Sequence, residues 1–125
     1  MSRVKSRDTE PELLVRRLLS AEGVRYRVHR RDLPGRPDLY VGRLRLALFV
    51  NGCYWHGHNC PRGRRPKTNV DFWNQKIALN IDRDKRARRA LQEEGVDTMD
   101  LWTCETGKFP SLCRRIAARY RKAGR

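Results

Sequence analysis

Apolar residues recur along this chain at two spacings, one helical and one alternating, and the breaks between them fall at glycines and prolines. Leu13, Leu14, Leu18 and Leu19 share one helical face. Ahead of them, Thr9, Glu10, Pro11 and Glu12 fit a capping box, with Thr9 accepting from the first turn and Glu12 reaching back. This predicts a helix that stops near Gly23. Residues 26–29 read as a short strand, and Leu33, Pro34, Gly35, Arg36 and Pro37 as a tight non-helical turn. Residues 38–50 read as a strand pair turning near Gly42, with Leu44, Leu46 and Leu48 alternating with basic or small residues.

Residues 51–69 carry no period and are dense in Gly, Pro, His and Cys. A long helix is predicted over 70–94, ending at Gly95. Val70, Trp73, Ile77, Ile81 and Leu91 form its apolar face, and Asp84 and Arg88 interrupt it. A strand over 96–102 and a basic helix over 110–122 complete the order helix, three strands, helix, strand, helix. That order predicts a mixed α/β (α+β) domain, with a central mixed sheet flanked by helices. Its 125 residues suffice for one domain, spanning 1–125. Arg3, Lys5 and Arg7 lie in a basic arm over residues 1–7.

Charge narrows the partner. Lys and Arg number 29 against 14 Asp and Glu, a formal +15. Such an excess repels itself and attracts a polyanion, so nucleic acid is the natural partner. Charge alone favours a binder without chemistry. No stretch approaches the ~20 apolar residues of a membrane span, and no signal-peptide core is visible, so a cytoplasmic, nucleoid-associated protein is expected. The four cysteines are then better read as metal donors than as disulfides.

Cys53, His56, His58 and Cys60 place four nitrogen or sulfur donors within eight residues, a donor set suited to tetrahedral zinc. Two ligand sets are open on spacing: all four of these, or a set that frees one histidine for chemistry and recruits Cys104 from just after the last strand. Cys113 shares a helical face with Ile116, Ala117 and Tyr120 and reads as a buried thiol. Asp38, after Pro37 at the mouth of a strand, is a candidate Mg²⁺ carboxylate. Glu12 is a second acid, with capping as its alternative role. His56 is a candidate general base or a zinc ligand. Tyr54, Trp55, Phe72 and Trp73 lie among basic residues, where aromatics can wedge between or stack on bases, although Trp73 also fits the apolar helix face.

Three sets of residues taken together carry a resemblance. They are Leu33 to Asp38 (LPGRPD), Phe49 to His58 (FVNGCYWHGH), and Phe72-Trp73 with Lys76, Ile77, Asn80, Arg83 and Asp84 followed by Leu101 to Cys104 (LWTC). In this order, with Arg7-Asp8-Thr9 ahead of them, they resemble the very-short-patch-repair (Vsr) DNA mismatch endonucleases. The resemblance implies a fold like the type II restriction endonucleases with a structural zinc held by Cys53, His58, Cys60 and Cys104. It implies that Asp38 and the main-chain carbonyl of Val50 hold Mg²⁺, that His56 activates or orients water, and that Glu12 supports His56 or hydrated metal. Asn51 stands where some members carry histidine; it can donate a hydrogen bond but not a proton. Tyr54, Trp55 and Trp73 would intercalate beside the mismatch, and the arm, including Met1 and Val4, would reach the minor groove. The implied reaction is a nick 5′ to the thymine of a T:G mismatch in double-stranded DNA. The enzyme would act as a monomer, linked in function to a cytosine-5 methyltransferase and repair factors. A restriction-like nuclease with another target and a non-catalytic zinc-stabilised DNA-binding module are the rival readings.

Overall fold

A computed structural model describes residues 9–30, 32–52 and 70–123. Helix α1 spans Glu10–Ala21, with Thr9 as its cap accepting from the Glu12 amide at 3.5 Å. Pro11 sits in the first turn, where a missing N–H costs nothing, and Glu10 and Glu12 complement the positive helix start. The helix ends in a Schellman motif: Gly23, at φ 79°, donates to the Ser20 carbonyl and Val24 to that of Leu19.

Strands β1 (Arg27–Val28), β2 (Leu39–Val41), β3 (Leu46–Asn51) and β4 (Asp97–Trp102) form one sheet in that order. The first three are antiparallel, and β4 runs parallel to β3, as the intervening helix α2 (Val70–Glu93) allows. A short 3₁₀ turn, Gly42–Leu44, links β2 to β3. Helix α3, Phe109–Ala123, follows a further 3₁₀ segment, Thr103–Lys108. The mixed sheet flanked by helices thus matches the predicted order, and Gly95 (φ 77°) closes α2 as Gly23 closes α1, with Val96 bonded back to Leu91.

One face of the sheet presents Leu39, Val41, Leu46, Leu48 and Leu101 to Val15 and Leu19 of α1 and to Phe109, Cys113, Ile116, Ala117 and Tyr120 of α3. Cys113 is buried there as expected, and burial pushes its thiol up to about 11, Glu22 adding to the shift. The opposite face packs Ala47 and Phe49 against Leu91 and Val96. Strand β3 is therefore covered on both sides, which is why its sequence reads LALFV rather than alternating strictly.

Arg88 and Asp84, which break the apolar pattern of α2, belong to this second face. The Arg88 guanidinium lies 3.8 Å from the Phe49 ring centroid and pairs with Asp100 of β4. Its Nη1 approaches the Asp84 carboxylate at 3.9 Å. The flat, delocalised cation covers an aromatic ring while its edges meet carboxylates, so a charge sits where the period calls for an apolar residue. No helix among the described residues is long and apolar enough to cross a membrane.

Candidate active site

Four elements converge at the mouth of β2. Pro37, fully buried, fixes the chain just before Asp38. Asp38 then donates its amide to the Leu48 carbonyl at 3.0 Å, while its carboxylate Oδ2 accepts from the Val50 amide at 2.7 Å. The neighbouring strand β3 thereby holds both the backbone and the side chain of Asp38. On the other side, the β1–β2 register pairs Val28 with Leu39, which sets His29 opposite Asp38; the His29 amide reaches the Asp38 carbonyl at 3.3 Å. His29 adopts φ 52°, in the left-handed region that few side chains occupy. Helix α1 closes the group from above with Glu12, only 2% exposed.

The ligating atoms of Glu12, His29 and Asp38 all lie within 4.8 Å of one another. Arg16, one turn after Glu12, stands beside them. Its Nη2 is 3.6 Å from the Glu12 carboxylate and 3.1 Å from His29 Nε2. A guanidinium can only donate, so Nε2 is the accepting nitrogen of that imidazole.

Two carboxylates and an imidazole suit a divalent cation. Octahedral Mg²⁺ holds its ligands at about 2.1 Å, so donors on opposite sides of it lie about 4.2 Å apart. The separations here, none above 4.8 Å, come within about 0.6 Å of that span. The Val50 amide fixes the Asp38 carboxylate through Oδ2.

The model for the family described as DNA mismatch endonuclease Vsr matches residues 1–62. The type II nicking enzyme V.XorIIP of Xanthomonas oryzae pv. oryzae is 46% identical over 116 residues, covering 93% of this chain and 85% of its own. DNA mismatch endonuclease Vsr of Escherichia coli is 39% identical over 104 residues, 83% of this chain and 67% of its own. The type II nicking enzyme V.NmeAIP of Neisseria meningitidis is 38% identical over 114 residues, 91% and 81% respectively. This chain belongs to the Vsr family.

The Vsr motifs are distributed unevenly over the described residues. Asp38 and Glu12 come together, and His29 joins them from outside the motifs. Val50 donates its amide N–H to Asp38 Oδ2 at 2.7 Å. Asn51 is buried and donates its carboxamide to Asp100 at 2.7 Å, on the face that packs against α2. Cys104 is half-buried just past β4. Trp73 is half-buried in the first turn of α2, edge-on to Phe72 with centroids 5.1 Å apart. Phe72 is 58% exposed, and the Lys76 ammonium lies 6.0 Å from both rings, an aromatic and basic surface suited to nucleobases. Cys53, Tyr54, Trp55, His56, His58 and Cys60, and Met1, Arg3, Val4, Lys5 and Arg7 of the arm, lie outside the described residues.

A separate concavity of about 440 Å³ runs along β1, lined by Arg25, Arg27, Arg30 and Arg43 with Tyr26, Tyr40 and Tyr120. Arg30 is held there by Asp32 through two hydrogen bonds of 2.7 and 2.6 Å, and Arg30 in turn lowers Asp32 to about 2. His29 was not among the sequence candidates. The chain has three histidines, and this one stands apart from the donor-rich loop. Only the pairing of β1 with β2 brings it to Asp38.

Proposed function

We propose that this protein nicks one strand of double-stranded DNA 5′ to the thymine of a T:G mismatch, by Mg²⁺-dependent phosphodiester hydrolysis that begins very short patch repair. That it is a DNA endonuclease follows from its family. The observation that carries the reading is the convergence of Glu12 and Asp38, with His29, at the strand mouth. The mismatch preference draws on the family description and on the relative named DNA mismatch endonuclease Vsr.

Phosphodiester hydrolysis needs an oriented water, neutralisation of charge on the phosphorus oxygens, and a stabilised leaving oxygen. Asp38 and Glu12 would hold the cation, whose Lewis acidity serves the last two needs. His56 would orient the attacking water and accept its proton. Val50 would offer its main-chain carbonyl to the same cation, while its amide keeps the Asp38 carboxylate aimed. Asn51, buried on the α2 face, would act indirectly, its hydrogen bond to Asp100 fixing the end of β3 that holds Asp38. A T:G wobble pair stacks less well than a matched pair, so wedging Tyr54, Trp55 and Trp73 beside it costs less there than elsewhere. The basic arm would grip the minor groove, and the +15 charge supplies affinity for any sequence.

A structural zinc on Cys53, His58, Cys60 and Cys104 completes the reading. It is supported by the parallel pairing of Asn51 with Trp102, which brings the chain out of β3 and β4 at the same end, two residues before Cys53 and Cys104 respectively. Restriction-endonuclease-like architecture, monomeric action and a link to a cytosine-5 methyltransferase belong to the same proposal.

The test is a panel of labelled duplexes carrying T:G, other mismatches and matched pairs in randomised flanks, incubated with Mg²⁺ and mapped for nick position. One nick, on the thymine strand and 5′ to the mismatch, is expected. Cleavage of matched duplex at equal rate would replace the mismatch reading with a restriction-like one. Binding without any cleavage would leave only a DNA-binding module.

A further inference from the structure

His29 offers the candidate metal centre something its two carboxylates do not, a nitrogen donor. It stands across the β1–β2 pairing from Asp38, and one of its ring nitrogens lies within 4.8 Å of the Glu12 and Asp38 oxygens. Its backbone is held in the left-handed region at φ 52°. Arg16 meets the ring at Nε2 and approaches Glu12, so a cation already bridges two of the three donors.

We propose that His29 is a third ligand of the divalent cation held by Glu12 and Asp38, taking up the cation as Arg16 withdraws from the ring. It thereby gives this centre a preference for Mn²⁺-like ions over Mg²⁺. The proposal rests on the reading of Glu12 and Asp38 as the metal carboxylates. Magnesium prefers an all-oxygen shell and keeps several waters, whereas imidazole nitrogen suits transition ions. Both ions then support cleavage, but they differ in how much they gain from His29. Arg16, freed from the imidazole, keeps its charge beside the site, where a phosphate oxygen can replace the ring as its acceptor.

The experiment measures ion binding to the zinc-loaded full-length chain without DNA. Mn²⁺ affinity is read from the free-ion electron paramagnetic resonance signal, Mg²⁺ affinity from competition, and nitrogen ligation from spin-echo modulation of bound Mn²⁺. Asparagine tolerates left-handed backbone, so His29→Asn is the variant of choice. His29→Gln carries the same comparison if His29→Asn fails to fold. The wild-type chain should bind Mn²⁺ about tenfold more tightly than Mg²⁺ and show nitrogen coupling. The variant should lose the coupling and about tenfold in Mn²⁺ affinity, while Mg²⁺ changes by less than about threefold. Unchanged Mn²⁺ binding, or equal weakening of both ions, overturns the assignment of His29. Asp38→Asn serves as the separate control. If it leaves both affinities intact, the metal centre itself is misplaced, a failure distinct from that of His29.

Discussion

Replacing Gly35 by alanine tests whether the turn that presents Asp38 really rests on α2. Gly35 has φ 75°, and a Cβ built there would lie 2.6 Å from the Ala87 Cβ and 3.3 Å from the Phe49 ring. Two costs add. The left-handed backbone disfavours any L side chain by about 1–2 kcal/mol. Forcing a methyl against a packed helix adds about 1–3 kcal/mol, because neither Ala87 nor the ring can move without disturbing Leu91 or Arg88. The total, about 2–5 kcal/mol, is a large part of the roughly 6–19 kcal/mol available to a domain of this length. Gly23 supplies an internal control. Its φ is nearly the same, 79°, but nothing lies within 4 Å of its would-be Cβ. Gly23→Ala should therefore incur only the backbone cost. Urea unfolding of both variants, with equal m-values, gives the comparison. Equal destabilisation by the two would refute the close approach of turn and helix.

Arg88→Met keeps bulk over Phe49 but strands Asp100 beside Asn51, and should cost about 1–3 kcal/mol, seen as a melting temperature lowered by about 4–12 °C. A change under about 2 °C would show the network to be ornamental. At alkaline pH, Cys113 sets a direction. Its folded pKa is raised from 9.0 to about 11, so the folded state retains a proton that the unfolded chain releases. Its contribution is intact below about pH 9 and is lost as pH rises to 11, by about 2–3 kcal/mol. Cys113→Ala should flatten that part of the stability–pH curve relative to wild type, and parallel curves would contradict the assignment. His56→Ala should abolish nicking while zinc content and fold are kept, whereas His58→Ala should release zinc and destabilise; metal analysis showing the reverse would exchange their roles.

Where the sequence was legible, the reason is local. Gly23 and Gly95 each close a helix because each stands where the chain must turn left-handed, with an apolar residue behind it to pack on the last turn. Asp38 was legible because Pro37 fixes the chain before it and a strand follows. What was not legible is non-local. The alternation at Leu44, Leu46 and Leu48 describes one face of β3, and only the burial of Ala47 and Phe49 under α2 reveals a second. Glu12 reads equally well as a capping residue until α1 is laid across the sheet beside Asp38. His29 acquires meaning from a cross-strand neighbour nine positions away. Arg88 reads as an interruption of an apolar stripe until Phe49 and Asp100 lie beneath it.

The bond from the Val50 amide to Asp38 has a consequence for inheritance. The group that fixes the Asp38 carboxylate belongs to the main chain, so nearly every codon at position 50 preserves it. Proline alone would delete the donor, and a strand bonded on both sides rejects proline in any case. Selection can therefore exchange the side chain at 50 to tune packing or solvation without resetting the acid. A comparison of sequences would record a freely varying position at the point whose backbone anchors Asp38.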